Sequence, residues 1–285
     1  MADEQQHQHH EHHEHHGHSH QHGEQGAVAS PGMHPSFMRV IQQKQRIKQK
    51  LSAIKHKIGV YSAKGGVGKT TVAINLAYTL ARNGLKVGLL DADIDCPNVT
   101  MFLGMEDAKM EPVLPLKPLE KDGIKIASTA MLVDEAKRPI IWRGPIVTKM
   151  LGDFFENTDW GELDYLIVDL SPGTSDGPLT IIQVLDLDGF VIVTNPQRIA
   201  GINSIRSGLM AKRMNVPVLG VVENMSSGKP SEKTMEVVKA LDTELFGVVP
   251  MNKEFADLSD KGKVHVVENS EISRAFDEIA KKITS

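Results

Sequence analysis

The chain has 285 residues, 40% hydrophobic and 24% charged, with a net charge of −4, a balance typical of soluble globular proteins with one large domain or two small ones. That mild negative charge gives no reason to expect nucleic-acid binding. No apolar run approaches the ~20 residues that span a bilayer, and the single cysteine, Cys96, rules out an intrachain disulfide framework. No basic-then-apolar leader pattern opens the chain, so a cytoplasmic protein with no membrane association is expected.

Residues 1–35 are compositionally distinct. Ten of the thirteen histidines lie between His7 and His22, mixed with glutamine, glutamate and glycine. Almost nothing there is apolar, so disorder is expected. Imidazoles at this density, with His9, His10, His12, His13, His15 and His16 at the centre, suit Ni²⁺ or Zn²⁺ through neutral ring nitrogen. A passive solubilising tail is the plainer alternative. Residues 36–57 then carry Arg39, Lys44, Arg46, Lys48, Lys50, Lys55 and Lys57 and no acidic residue. Phe37, Ile41, Ile47, Leu51 and Ile54 recur near helical spacing, which predicts an amphipathic helix packed on the main domain with a solvated basic face.

Residues 58–285 read as one α/β domain. The apolar run Ile58–Tyr61 leads into Ser62-Ala63-Lys64-Gly65-Gly66-Val67-Gly68-Lys69-Thr70-Thr71, and a helical run, Val72–Arg82, follows. Strand, glycine-rich turn and helix are the setting of a phosphate-binding loop. Gly65, Gly66 and Gly68 let the backbone curl so that N–H groups from Gly65 through Val67 to Thr71 face an anion, and the helix start adds its unpaired N–H groups. Lys69 supplies a cation for the terminal phosphates, and Thr70 a hydroxyl for Mg²⁺. The string departs from G-x-x-x-x-G-K-S/T only at Ala63, which stands where the first glycine belongs.

Further strands are expected at Val87–Asp91, Ile124–Ser128, Tyr165–Leu170, Phe190–Thr194, Val218–Glu223 and Phe246–Val249. Helices are expected at Ile146–Phe155, Ile202–Met214, Glu232–Leu241 and Ser273–Ile283. Continuous apolar strands separated by helices predict a doubly wound, mostly parallel sheet. In such sheets ligands bind at the carboxyl ends of the strands, so acidic residues there are site candidates. After the second strand Asp93 is positioned to orient an attacking water, with Asp91 left for structure or metal. Asp169 ends an apolar strand in the manner of a Walker B residue holding the Mg²⁺ shell. Gly173, following Pro172, allows its backbone to approach a γ-phosphate and to move when that group leaves. Asn224, at another strand end, offers a donor and an acceptor to an adenine edge. A guanine-reading Asn-Lys-x-Asp string is missing, since Asn252-Lys253 runs on into Glu254-Phe255. ATP is therefore the expected nucleotide.

Lys64, directly after the first loop position, resembles the deviant Walker A lysine of MinD- and ParA-like P-loop NTPases. Trp142-Arg143-Gly144-Pro145, Trp160-Gly161-Glu162-Leu163-Asp164-Tyr165, Pro172-Gly173-Thr174-Ser175-Asp176 and Glu223-Asn224-Met225-Ser226 narrow the resemblance to the Mrp family of ATP-dependent iron–sulfur cluster carriers, over roughly residues 40–285. The resemblance implies a homodimeric ATPase with Mg²⁺ and dimer-dependent, slow hydrolysis, serving metal-cofactor client or scaffold proteins. It also implies that Lys64 reaches the partner's nucleotide, and that Lys64, Lys69, Thr70, Asp93 and Asp169 form the ATPase site. Members usually carry Cys-x-x-Cys shortly after Glu-Asn-Met-Ser, where two copies bridge a 4Fe-4S cluster. Here that stretch reads Ser226-Ser227-Gly228-Lys229-Pro230-Ser231, without cysteine. Two other readings stand beside this one: a nickel- or zinc-handling NTPase using the histidine segment, and a MinD/ParA-like interaction switch.

Overall fold

A computed structural model of the protein describes residues 35–131, 144–173 and 176–285. The histidines His9, His10, His12, His13, His15 and His16, and Trp142 and Arg143, lie outside the described residues.

Eight strands form one sheet: β1 (Ile54–Tyr61), β2 (Val87–Ala92), β3 (Leu119–Lys121), β4 (Ile124–Ser128), β5 (Leu163–Leu170), β6 (Gly189–Thr194), β7 (Val218–Ser226) and β8 (Glu244–Pro250). Their order is β3-β4-β2-β5-β1-β6-β7-β8. Every pair is parallel except β3 with β4. Every residue of β2 and β6 is buried, as a strand covered on both faces requires. β1 sits between β5 and β6, so the phosphate loop leaves from the middle of the sheet.

The covering helices are α1 (Pro35–Leu51), α2 (Lys69–Arg82), the short α3 (Val99–Phe102), α4 (Gly144–Asn157), α5 (Asp176–Leu185), α6 (Arg198–Arg213), α7 (Glu232–Ala240), α8 (Glu254–Asp260), α9 (His265–Glu268) and α10 (Ser270–Thr284). Right-handed crossovers put α2 and α10 on one face, where they pack together, and α4, α5, α6 and α7 on the other, with α1 against α4 and α5.

The basic helix ends at Leu51, and β1 starts at Ile54 rather than Ile58. Ile54 fits the helical period, but its pairing with Leu163 of β5 outweighs that local pattern, so Lys55 and Lys57 lie on the strand. Ile47 and Leu51 are buried. The charged face of α1 is exposed, and two of its cations meet carboxylates, Arg46 with Glu156 at 2.6 Å and Lys48 with Asp186 at 2.8 Å. Gln43 meets Asp153 as Arg46 meets Glu156, so α1 runs parallel to α4, with its first residue toward the carboxyl edge of the sheet.

α10 carries an apolar stripe flanked by mixed charge, and Ile272, Phe276 and Ile279 of that stripe are buried where the helix packs on β8 and α2. Among the described residues no helix is long and apolar enough to cross a membrane.

Candidate functional site

Lys69 and Thr70 open α2, and Gly68 caps it in the left-handed conformation at φ 82°. Lys69 is 7% exposed. Its Nζ donates to Asp169 Oδ1 at 2.5 Å and lies 3.8 Å from Asp93 Oδ2. Thr70 Oγ1 donates to Asp169 Oδ2 at 2.7 Å. Sheet register produces this meeting: Asp169 pairs with Val60 at the end of β1 and with Asp91 at the end of β2. Three adjacent strands thus bring their carboxyl ends to the loop mouth.

The carboxylates divide by environment. Asp91 is fully buried and accepts from Asp93 N–H at 3.2 Å, Val99 N–H at 3.0 Å and the Ser128 hydroxyl at 3.1 Å. Burial and the neighbouring Asp169 charge push it up to about 8. Its three partners lie in the β2–α3 connection, at the first residue of α3 and in β4, so Asp91 shapes the segment that carries Asp93. Burial also pushes Asp169 up, against the pull of the Lys69 ammonium and the Thr70 hydroxyl. Asp93 lies at the mouth, its Oδ1 accepting from the Ser171 hydroxyl at 3.0 Å and Cys96 N–H at 3.2 Å, its Oδ2 toward Lys69. Ser171 and Ser128 are not singled out in the sequence reading. The signal for Ser171 is its place two residues after Asp169, on the same face of the strand end.

Asn224 lies against the loop from β7. Its amide donates to the Val67 carbonyl at 2.9 Å. A Cβ on Gly68 would fall 2.1 Å from that amide nitrogen, so two constraints, the positive φ and this contact, require glycine there. Asn195, the other strand-end asparagine, spends its side-chain oxygen on the N–H of Gln197 at 3.2 Å. Gly173 N–H donates to the Ser62 carbonyl at 3.1 Å, and the Tyr61 phenol donates to the Gly173 carbonyl. Lys64, Gly65 and Gly66 are exposed beside this cluster, while Val67 is buried and Thr71 half-buried.

The turn after β7 is differently made. Ser226 Oγ donates to the Lys229 carbonyl at 2.8 Å. Glu223, buried, accepts from Ser231 N–H at 2.9 Å and from its hydroxyl at 2.6 Å. Ser231 in turn caps α7 through Thr234 N–H. Cys96 is exposed, and among the described residues no group of three or more His, Cys, Asp or Glu is placed to hold a metal ion by itself.

Comparison with known proteins agrees with this geometry. A model of the ParA-type NUBPL iron-transfer P-loop NTPases matches residues 53–284. An iron–sulfur cluster carrier protein of Methanocaldococcus jannaschii is 41% identical over 256 residues, covering 85% of this chain and 88% of that one. One from Aquifex aeolicus is 40% identical over 258 residues, covering 85% and 71%. Among solved structures, a nucleotide-binding protein of Archaeoglobus fulgidus in complex with ADP, with cobalt found in it, superposes at a TM-score of 0.69 with 33% identity, covering 81% of this chain and 96% of that one. MinD of Pyrococcus horikoshii with Mg-ADP, at a TM-score of 0.63 and 22% identity over 80% of this chain and 95% of that one, shares the fold. The chain belongs to the NUBPL iron-transfer (Mrp) family of P-loop NTPases, with the MinD/ParA-type fold.

Proposed function

We propose that this chain hydrolyses ATP as a homodimer and that the cycle serves iron–sulfur cluster, or more broadly metal-cofactor, assembly. The observation that carries the reading is the meeting of Lys69, Thr70, Asp93 and Asp169 at one loop mouth. In this reading the N–H groups of residues 65–71 and Lys69 bind the phosphates. Lys69 then exchanges a carboxylate oxygen of Asp169 for a phosphate oxygen, one charge-assisted bond for another. The freed Asp169 carboxylate and the Thr70 hydroxyl form an oxygen pair of the kind Mg²⁺ takes together with water and phosphate. Bound there, that ion would supply neutralisation of the β- and γ-phosphate charge. Asp93, its orientation fixed by Ser171, positions the attacking water. Asn224 spends one amide N–H on the Val67 carbonyl, which leaves its second N–H and its carbonyl oxygen to meet an adenine edge. Lys64, exposed, reaches the nucleotide of a second copy. Steady-state hydrolysis of Mg-ATP with light scattering tests the proposal, and a monomer without turnover sinks it.

The relatives' names support cluster assembly, with the cluster as cargo. A cluster held by four thiolates does not fit a chain with one cysteine, because a homodimer supplies two thiolates. A cluster would then need another source of ligands, such as the client or scaffold protein. Anaerobic reconstitution with iron and sulfide, with Cys96→Ala as control, tests this: four irons per dimer retained by the isolated protein would contradict it.

The ten histidines between His7 and His22 favour a second reading, in which the protein handles Ni²⁺ or Zn²⁺. Equilibrium dialysis of the full chain against a variant with those histidines changed to asparagine decides it. Equal, negligible uptake by both removes the idea.

A further inference from the structure

Three alternate residues, one near the end of β5 and two just beyond it, each touch a different part of the site. Asp169 holds Lys69 and Thr70, Ser171 holds Asp93, and Gly173 meets the end of β1. The Gly173 contact is double. Its N–H donates to the Ser62 carbonyl at 3.1 Å, and its carbonyl accepts from the Tyr61 phenol. Tyr61 is fully buried, its ring 5.6 Å from that of Phe190. Packing alone would be served as well by phenylalanine. A buried tyrosine hydroxyl needs a polar partner, and the partner here belongs to the segment expected to respond to the γ-phosphate.

The two bonds fall on two different peptide planes. The N–H belongs to the Pro172–Gly173 peptide and the carbonyl to the peptide that follows. Between them lies Gly173 Cα, with φ at 90°. A Cβ there would find its nearest neighbour, Ala63 O, at 4.0 Å. Glycine is therefore demanded by the dihedral and not by space, as at a hinge.

We propose that Tyr61 is a positioning residue for hydrolysis: its phenol pins the Gly173 carbonyl while the N–H of the same glycine exchanges between the Ser62 carbonyl and a nucleotide phosphate. With one plane fixed, capture of the phosphate is resolved by turning the other about the glycine, and the segment carrying Asp169 and Ser171 keeps its register on Thr70 and Asp93. Burial pushes the phenol up to about 12, against a smaller opposite pull from the Ser207 hydroxyl, so it remains a donor across the working range. The proposal rests on the ATPase reading for its consequence, but the anchor itself is a separate structural claim.

Tyr61→Phe keeps the ring and removes the pin. Misplacement by about 1 Å can cost on the order of 10²-fold in rate, so kcat is expected to fall about tenfold or more. KM and ADP affinity should stay within about twofold, since the lost effect is confined to the reacting geometry. Amide exchange read by mass spectrometry should speed up in the peptide containing Ser171–Gly173. Phe190→Leu, which loosens the same packing without touching the phenol, should lower Tm while leaving kcat and that local exchange near wild type. Wild-type kcat and exchange in Tyr61→Phe would overturn the proposal, as would the same profile in both variants. If the wild-type chain hydrolyses no ATP, the ATPase reading fails, and the exchange comparison still decides the role of Tyr61.

Discussion

The Ser62–Thr71 loop follows β1 and the Ser226–Ser231 turn follows β7, two places along the same sheet edge. The loop after β1 is held by side chains from elsewhere: Asp169 from β5, Asp93 from beyond β2, Asn224 from β7. The turn after β7 is held by its own neighbours, Ser226 on Lys229 and Glu223 on Ser231. A loop gripped by several strands senses changes in all of them. A loop closed on itself is a connection. The nucleotide half of the family chemistry is therefore built into this chain, and the thiolate half is not built into the turn where relatives are expected to carry it.

The largest effect that would break this contrast belongs to the two loop lysines. Charge stabilisers of their kind contribute on the order of 10³–10⁵ in rate. Lys69→Ala should lose both ADP binding and turnover. Lys64→Ala should lose turnover while calorimetry still records ADP binding, because Lys64 is exposed and the bond recorded for it, from the Ser62 hydroxyl, goes to its backbone carbonyl, which alanine keeps. A Lys64→Ala protein with most of its activity would remove the cross-dimer role.

The turn can be tested by addition. Ser227 and Pro230 are exposed and have Cys-x-x-Cys spacing. The double variant Ser227→Cys with Pro230→Cys should retain iron and sulfide after reconstitution where the wild type does not. Equal retention by both proteins would show that cysteine supply is not what limits the turn.

A smaller effect is expected at Asn224→Ala, which leaves the Val67 carbonyl without its donor. A hydrogen bond of this kind contributes about 1 kcal/mol, so ADP affinity should weaken about fivefold with little change in kcat. A change in kcat alone would place Asn224 in the chemistry instead.

The smallest effect lies away from both loops. His265 is buried, with Nε2 3.0 Å from the Phe255 carbonyl and Nδ1 3.4 Å from the Asn75 amide. Burial holds its pKa below the ordinary value of about 6.5. The unfolded chain then takes up that proton first as pH falls. The stability from neutral His265 is thus present above about 6.5 and lost as pH drops toward its folded pKa. His265→Gln should flatten the fall in urea midpoint between neutral and mildly acidic pH, and an unchanged slope would assign the acid response elsewhere.

Much of the site is legible in the chain itself because its residues occupy marked positions. Lys69 and Thr70 belong to a motif with fixed spacing, and Asp93 and Asp169 stand where apolar strands stop. Tyr61, Ser128 and Ser171 carry no such mark. Their partners lie 112, 37 and 78 residues away, and only the pairing of β1, β2, β4 and β5 brings them together. The same limit explains α1. Helical period runs on through Ile54, and nothing local announces that Leu163 will claim that residue for a strand. α5 is likewise absent from the predicted elements, though an apolar run follows Gly177-Pro178. The position of Asn224 at a strand end is readable in advance, whereas its grip on Val67 depends on how far β7 runs past β6.

The parallel packing of α1 on α4 fixes an anchor point. Pro35 stands at the phosphate-loop edge, and His22 lies 13 residues before it. A chain of that length keeps its far end within about 45 Å even when fully stretched. His22, the nearest of the ten clustered histidines to the fold, is thus confined to within that distance of the edge, whereas His7, 28 residues before Pro35, reaches to about 95 Å. Any metal they hold is met at that edge at an effective concentration set by the tether, on the order of millimolar, rather than at the concentration of the surrounding solution.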